Sequence, residues 1–181
     1  DTLDCRSSRL TSFPRSGLSL VDTQRFQNSF SVDILAVAVD GLHQLGKCIL
    51  QELGVDPESY VQVDGSGLSR HNLTTPTALV SVLQAMDQMP NAAVYRNSLS
   101  QAGINGTLRN SFRNSAIEEQ LWGKSGWLSR NAALSGYVNP PNYPPLVFSI
   151  LLNNADTRSS VIGRAMDDVV LLLADLHICG D

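Results

Sequence analysis

Lys124-Ser125-Gly126-Trp127-Leu128, then Ala132-Ala133-Leu134-Ser135-Gly136-Tyr137-Val138, then Leu146-Val147-Phe148-Ser149-Ile150-Leu151-Leu152 are three strand-length segments rich in apolar and β-forming residues. The last two are joined by the Pro- and Asn-rich stretch Asn139 to Pro145. Connections this short leave no room for a crossover helix, so the segments are expected to pair antiparallel. Downstream, Val161, Ile162, Ala165, Met166, Val169, Val170, Leu172, Leu173 and Leu176 recur at helical spacing. Ser159 or Ser160 is the expected N-cap, and the helix is expected to lie across the sheet.

Upstream the pattern is different. Apolar residues from Phe30 to Leu53 recur at helical spacings, interrupted by Gly41 and Gly46, and Gly54 follows as a stop signal. Tyr60 to Val63 reads as a short strand entering the turn at Asp64-Gly65. Thr75-Pro76 then opens a helix through Met86, with Thr75 as N-cap and Pro76 in its first turn. Between Pro90 and Gln120 the chain is polar, with a turn at Ala102 to Leu108 and a short helix-like piece around Leu108 and Phe112. Residues 1–30 read as an irregular segment and 31–181 as one partial domain, helical over 31–120 and sheet plus final helix over 121–181. The fold class is therefore α/β in the mixed, α+β sense, with an antiparallel sheet flanked by helices.

Composition narrows the function. The chain has 181 residues, 43% hydrophobic and 17% charged, with a formal net charge of −4, which suits one globular core. No Lys/Arg cluster is present to neutralise a phosphate backbone, so nucleic acid is not an expected partner. The apolar run Val169 to Ala174, as long as any in the chain, is far short of the ~18 residues that mark a membrane-spanning helix. The three cysteines, Cys5, Cys48 and Cys179, have no paired spacing and read as buried or free thiols rather than a disulfide framework or zinc site. His43, His71 and His177 are scattered without metal-ligand spacing, so no metal is expected. No Gly-x-Ser-x-Gly elbow supports a Ser-His-Asp hydrolase, and Arg70 stands where a dinucleotide loop would need its third Gly. Asn72-Leu73-Thr74 and Asn105-Gly106-Thr107 match glycosylation acceptors, a short pattern that recurs by chance.

Two motifs remain. Asp64-Gly65-Ser66-Gly67-Leu68-Ser69-Arg70-His71-Asn72 sits between a strand and a helix, and Lys124-Ser125-Gly126 opens a strand. In order and in that context they resemble the second and third active-site motifs of the penicillin-binding D-alanyl-D-alanine carboxypeptidases of the class C, low-molecular-mass type. Gly106-Thr107-Leu108 and Leu134-Ser135-Gly136-Tyr137-Val138 are supporting matches. The likeness runs from about Leu53 to Asp181. It implies the C-terminal portion of the β-lactamase/transpeptidase-like fold and an acyl-transfer enzyme on peptidoglycan peptides that β-lactams trap covalently. It implies an extracytoplasmic or periplasmic setting and no cofactor.

The resemblance also implies roles for individual residues. Ser69 would relay a proton toward the departing amine and Asn72 would orient the substrate's peptide carbonyl. Lys124 would supply positive charge, and Ser125 would hydrogen-bond the terminal carboxylate. Gly126 would let the substrate backbone approach the strand edge, where a Cβ would collide, and the Trp127 amide would be an oxyanion donor. Trp122 and Trp127, flanking the triad, suit core or cleft-wall packing as well as substrate contact. The sequence departs from the pattern in two places. A strict Ser-x-Asn would put the amide at position 71, where His71 stands, and Asn72 lies one residue later. The nucleophile motif Ser-x-x-Lys is absent, because Gln44 and Leu121 stand three before Lys47 and Lys124.

The expectation is thus the C-terminal part of a larger serine-type carboxypeptidase or endopeptidase, whose Asp1 is a processing boundary without a leader. The alternative is a catalytically inactive relative that binds muropeptide or protein. A β-lactamase-like hydrolase would need the same serine and a deacylating carboxylate. Apolar surface that meets a missing lobe is expected to be exposed.

Overall fold

The computed structural model describes residues 43–178. The expected irregular segment 1–30, the first part of the helix expected from Phe30, Cys5 and Cys179 lie outside the described residues. Within them the elements run α1 (His43–Glu52), β1 (Tyr60–Val61), β2 (Leu73–Thr74), α2 (Pro76–Asp87), α3 (Ala92–Ser98), β3 (Ser100–Gln101), β4 (Leu121–Leu128), β5 (Asn131–Val138), β6 (Leu146–Leu152) and α4 (Ser159–Ala174). Short 3₁₀ turns occupy Pro57–Ser59 and Gly106–Leu108.

The main sheet has the order β3-β4-β5-β6, antiparallel throughout. Its register runs from Leu121↔Val138 to Leu128↔Asn131 between β4 and β5, and from Ala132↔Leu152 to Val138↔Leu146 between β5 and β6. Directly opposed residues share a face, so each face can be read from the register. Leu121, Leu134, Val138 and Phe148 face α4 and pack with Ile162, Met166, Val170 and Ala174. Trp122, Tyr137 and Val147 face the other way, onto Leu83 and Leu99. A third, smaller cluster of Leu50, Val55, Tyr60, Ala78 and Val82 joins α1 and β1 to α2.

α2 begins as its sequence dictates. Thr75 Oγ1 accepts the Ala78 amide hydrogen at 3.1 Å, with Pro76 in the first turn, a cap worth about 1 kcal/mol. α4 lies across the sheet as expected, but its start and face differ. Arg158, not a serine, occupies the N-cap and makes no side-chain cap bond. Only one stripe is buried, while Val161, Val169 and Leu172 remain exposed. Val61, Val63, Leu68 and Leu73 form a second exposed apolar group around β1 and β2.

Three other expectations change. β4 starts at Leu121, three residues before Lys124, because Leu121 is fully buried against α4 and draws Trp122 and Gly123 into the ladder. The strand expected over Tyr60 to Val63 ends at Val61, since the Asn72 side chain holds the Val63 amide and ends the ladder. Cys48 in α1 is disulfide-bonded, which corrects the free-thiol expectation. Pairing depends on distance in the fold, which the spacing of three cysteines does not show.

The tightest point of the sheet is Gly136, opposite Gly123. A Cβ on Gly136 would lie 2.1 Å from the Trp122 carbonyl oxygen and 2.6 Å from the Gly123 Cα. Both are backbone atoms, which cannot rotate aside. Gly136→Ala should therefore cost roughly 2–3 kcal/mol, the upper range for overpacking. Thermal melts should show a loss of about 5–10 °C, and an unchanged midpoint would contradict the close approach.

Beneath the α2 face the Tyr137 hydroxyl donates to the Leu83 carbonyl at 2.7 Å. The Arg96 guanidinium lies 4.6 Å over the Tyr137 ring and 5.7 Å over Trp122, and pairs with Asp87. Burial, with a smaller push from Asp87, raises the Tyr137 pKa to about 12; burial also raises that of Tyr95. A phenol whose pKa rises on folding contributes stability that is intact below its unfolded value of about 10 and is lost above it. Stability should hold to pH 10 and fall toward pH 12, and Tyr137→Phe should flatten that fall in pH-dependent urea titrations.

Candidate functional site

Both motifs lie at the same end of the main sheet. β3 is two residues long and pairs only with Gly123 and Trp122. From Lys124 to Leu128, β4 therefore has a free edge among the described residues, with β5 on its other side. Strand alternation separates the triad's side chains. Lys124 shares the Trp122 face, opposite Ser135, and Ser125 shares the Leu121 face, opposite Leu134. Lys124 is half-buried, and its ammonium donates to the Ser125 carbonyl at 3.2 Å. Gly126 is buried. Trp127 is 45% exposed, its ring over α4, where a Cβ built on Gly163 would sit 3.6 Å away.

The loop from Asp64 to Asn72 is held by its own side chains. Asn72 Oδ1 accepts the amide hydrogens of Val63 (2.7 Å) and Asp64 (3.1 Å). Its Nδ2 donates to the carbonyl and to Oδ1 of Asp64, both at 3.1 Å. An amide side chain has two donors and one two-lone-pair acceptor, so Asn72 is saturated inside the loop. Asp64 Oδ1 also accepts from the Ser66 amide at 2.9 Å and hydroxyl at 2.8 Å. These hydrogen bonds from Ser66, then Asn72 and Ser69, hold the Asp64 carboxyl below its ordinary pKa. Ser69 Oγ accepts the His71 amide hydrogen at 3.2 Å, and His71 itself is exposed.

Arg70 joins loop to sheet. Its Nη2 donates to the Ser129 carbonyl in the β4–β5 turn at 3.3 Å, 59 positions away. The result is a cavity of about 230 Å³ whose lining includes Ser69, Arg70 and Asn72 from the loop and Gly126, Trp127 and Asn131 from the hairpin. The structure thus brings Ser69 and Asn72 to the Gly126-Trp127 end of the free edge. Lys124 and Ser125 are not among the cavity's lining residues. Sequence reasoning missed Arg70 as the link between the motifs, and Thr107 as a neighbour of the triad: Ser125 Oγ donates to Thr107 Oγ1 at 2.8 Å. The signal for the second was the Gly106-Thr107-Leu108 match. Among the described residues, no group of three His, Cys, Asp or Glu side chains could hold a metal ion, and no helix is long and apolar enough to cross a membrane.

Residues 36–176 match the D-Ala-D-Ala carboxypeptidase 3 (S13) family. The chain belongs to that family. It is 42% identical over 109 residues to the D-alanyl-D-alanine carboxypeptidase of Actinomadura sp. (strain R39), a match covering 58% of this chain and 20% of that protein. It is 31% identical over 135 residues to the penicillin-sensitive carboxypeptidase A of Dictyostelium discoideum, covering 69% and 25%. The chain thus spans about a fifth to a quarter of the length of these relatives. Among solved structures, penicillin binding protein 4 of Haemophilus influenzae superposes with a TM-score of 0.65 at 24% identity, over 72% of this chain and 32% of its own. A predatory endopeptidase of Bdellovibrio bacteriovorus gives 0.66 at 18%, over 84% and 44%. The α+β, transpeptidase-like fold expected from the sequence is the fold of these neighbours.

The saturation of Asn72 gives a direct test. Asn72→Ala removes the acceptor shared by the Val63 and Asp64 amides, so those two amides should exchange with solvent at least tenfold faster. Exchange in β4 and β5 should be unchanged. Equal protection in the variant would show that the amide does not close the loop.

Proposed function

We propose that this chain is the substrate-binding part of a serine-type D-Ala-D-Ala carboxypeptidase or endopeptidase acting on peptidoglycan peptides through an acyl-enzyme. The nucleophile, within a Ser-x-x-Lys motif absent from these 181 residues, would come from chain outside them. The observation that carries this proposal is the free edge of β4 beginning at Lys124, in a chain of the S13 family.

An exposed strand edge pairs readily with an extended peptide backbone. A peptide laid along Lys124 to Leu128 gains main-chain hydrogen bonds, and the missing Cβ of Gly126 admits it closely. Its terminal carboxylate is attracted by the Lys124 ammonium and hydrogen-bonded by Ser125. As the serine attacks the scissile carbonyl, negative charge develops on its oxygen, and the Trp127 amide is one of the two donors that stabilise it. Ser69, across the cavity, relays the proton to the departing amine. Asn72 acts through the loop it closes, keeping Ser69 in place, rather than through an amide free to bind substrate. β-Lactams would acylate the same serine and act as covalent inhibitors. An extracytoplasmic setting is supported by the disulfide at Cys48, since such bonds persist in oxidising compartments.

A second proposal is a catalytically inactive relative that binds peptidoglycan or protein through the same edge. Intact-protein mass spectrometry after exposure to a labelled penicillin separates the two. The longest natural product containing this sequence should gain a covalent adduct and the 181-residue chain none. Lys124→Ala in the long form should slow acylation by about 10²-fold or more. No adduct on the long form would overturn the enzyme and favour the binding relative.

A further inference from the structure

A second cavity, of about 580 Å³, lies between the β4–β5 turn, the loop after β6 and the start of α4, a volume in the range of small-molecule sites. Trp127, Leu128 and Asn131 line it and the first cavity alike, so the two meet along this wall. The frame of the second cavity is tied across its mouth. The Ala155 amide donates to the Arg130 carbonyl at 2.9 Å, and the Asn154 amide donates to Asn131 Oδ1 at 3.2 Å. Arg130 is held at φ +66°, a conformation uncommon for a residue with a Cβ. The far end of the Trp127 ring rests on α4, where a Cβ on Gly163 would lie 3.6 Å from Cη2 and 3.8 Å from Cζ2. The indole is therefore set in place before any ligand arrives, which lowers the ordering cost of binding to it.

The polar lining selects a class of ligand. Arg130 and Asp156, paired at 3.9 Å with both side chains exposed, are the two charged residues that line the cavity. Their charges cancel, so a carboxylate or an ammonium would meet a repelling group beside each attracting one. Thr157 and Ser159 add hydroxyls, and Asn131, whose Oδ1 is taken by the Asn154 amide, adds its side-chain N–H donors. An aliphatic group would leave these donors and acceptors unanswered. Beside them stands one aromatic surface, the 45% exposed Trp127. A neutral group that carries hydroxyls and an amide on its rim and an apolar C–H face is an N-acetylated pyranose. Its C–H bonds lie against the negative face of an indole, and its rim reaches the polar side chains around it.

We propose that this second cavity is a subsite for an N-acetylated pyranose, the muramyl sugar that heads a peptidoglycan stem peptide, with the Trp127 indole as its platform and Arg130 and Asp156 as its polar rim. This rests on the reading of the β4 edge as a site for a carboxylate-terminated peptide. With the terminal carboxylate at Lys124 and Ser125 and the scissile carbonyl at the Trp127 amide, the amino-terminal end of the stem runs on past Leu128. About three further residues at roughly 3.3 Å each carry the sugar past the end of β4, to the turn that walls the cavity. The substrate class is then a sugar-bearing muropeptide rather than a free stem peptide.

The test compares an N-acetylmuramyl pentapeptide with the same pentapeptide acetylated at its amino terminus, each titrated into the 181-residue chain and followed by NMR. The muramyl form should bind about tenfold tighter, and it alone should shift the amides of Arg130, Asn131 and Thr157. Trp127→Leu should bring the two affinities together. Asp156→Ala, at a side chain 90% exposed and only loosely paired, should reduce the ratio to about threefold or less, and it stands alone if Trp127→Leu does not melt cooperatively. Equal affinity of the wild type for the two forms would overturn the sugar subsite and leave the peptide site intact. A full preference retained in both variants, or in Asp156→Ala where it stands alone, would overturn this cavity as the sugar's place. No binding of the acetylated peptide would overturn the β4-edge reading, and the sugar subsite with it.

Discussion

Eight residue pairs join β4 to β5, from Leu121↔Val138 to Leu128↔Asn131, and the rest of the structure takes its position from that ladder. Its register is set from both sides of the sheet. A slip of one residue would turn Leu121, Leu134 and Val138 away from α4 and drive Tyr137 into the α4-side core. It would also move Gly136 from its place opposite Gly123, the only position on that stretch of β5 where the strands' approach to the Trp122 carbonyl leaves no room for a Cβ. Burial fixes which face is which, and the glycine pair fixes where along the strand they cross.

With that register locked, the chemistry at the edge follows from alternation. Lys124 and Ser125 are neighbours in sequence and opposite in direction, so the triad presents a cation to one side of the strand and a hydroxyl to the other. A ligand served by both must lie along the edge itself. Such an edge would ordinarily be a liability in an unpaired strand, yet β3 stops after pairing Gly123 and Trp122. The chain then leaves β3 through Ala102, whose amide donates to the Leu121 carbonyl at 3.0 Å, and turns away into the Gly106-Thr107-Leu108 segment. The same turn that ends the covering strand delivers Thr107 to Ser125.

Much of this was legible in the chain. The apolar strands and the amphipathic α4 announce themselves because burying one face demands period 2 or 3.6, and Thr75-Pro76 marks α2 by local capping chemistry alone. α3 and β3 were not legible: Ala92–Ser98 is exposed or half-buried throughout, and two residues of strand carry no periodicity. Nor was the disulfide at Cys48, or the reach of Arg70 to Ser129 across 59 positions. These are consequences of tertiary distance, which no local pattern encodes. At the site, the family resemblance supplied residue types, and Lys124, Ser125 and Gly126 stand on the free strand edge it implied.

The loop motif shows where residue type and physical role part company. Asn72 is the kind of residue that could orient a substrate carbonyl, and it lines the cavity beside Gly126. Yet its two donors and its acceptor are all engaged by Val63 and Asp64. Offering them to a ligand would break the turn that positions Ser69. The loop has already spent its best polar side chain on its own shape. What it brings to the sheet is therefore the Ser69 hydroxyl and the Arg70 tether. The loop thus sets the geometry of one wall of the cavity, opposite the Gly126-Trp127 end of β4.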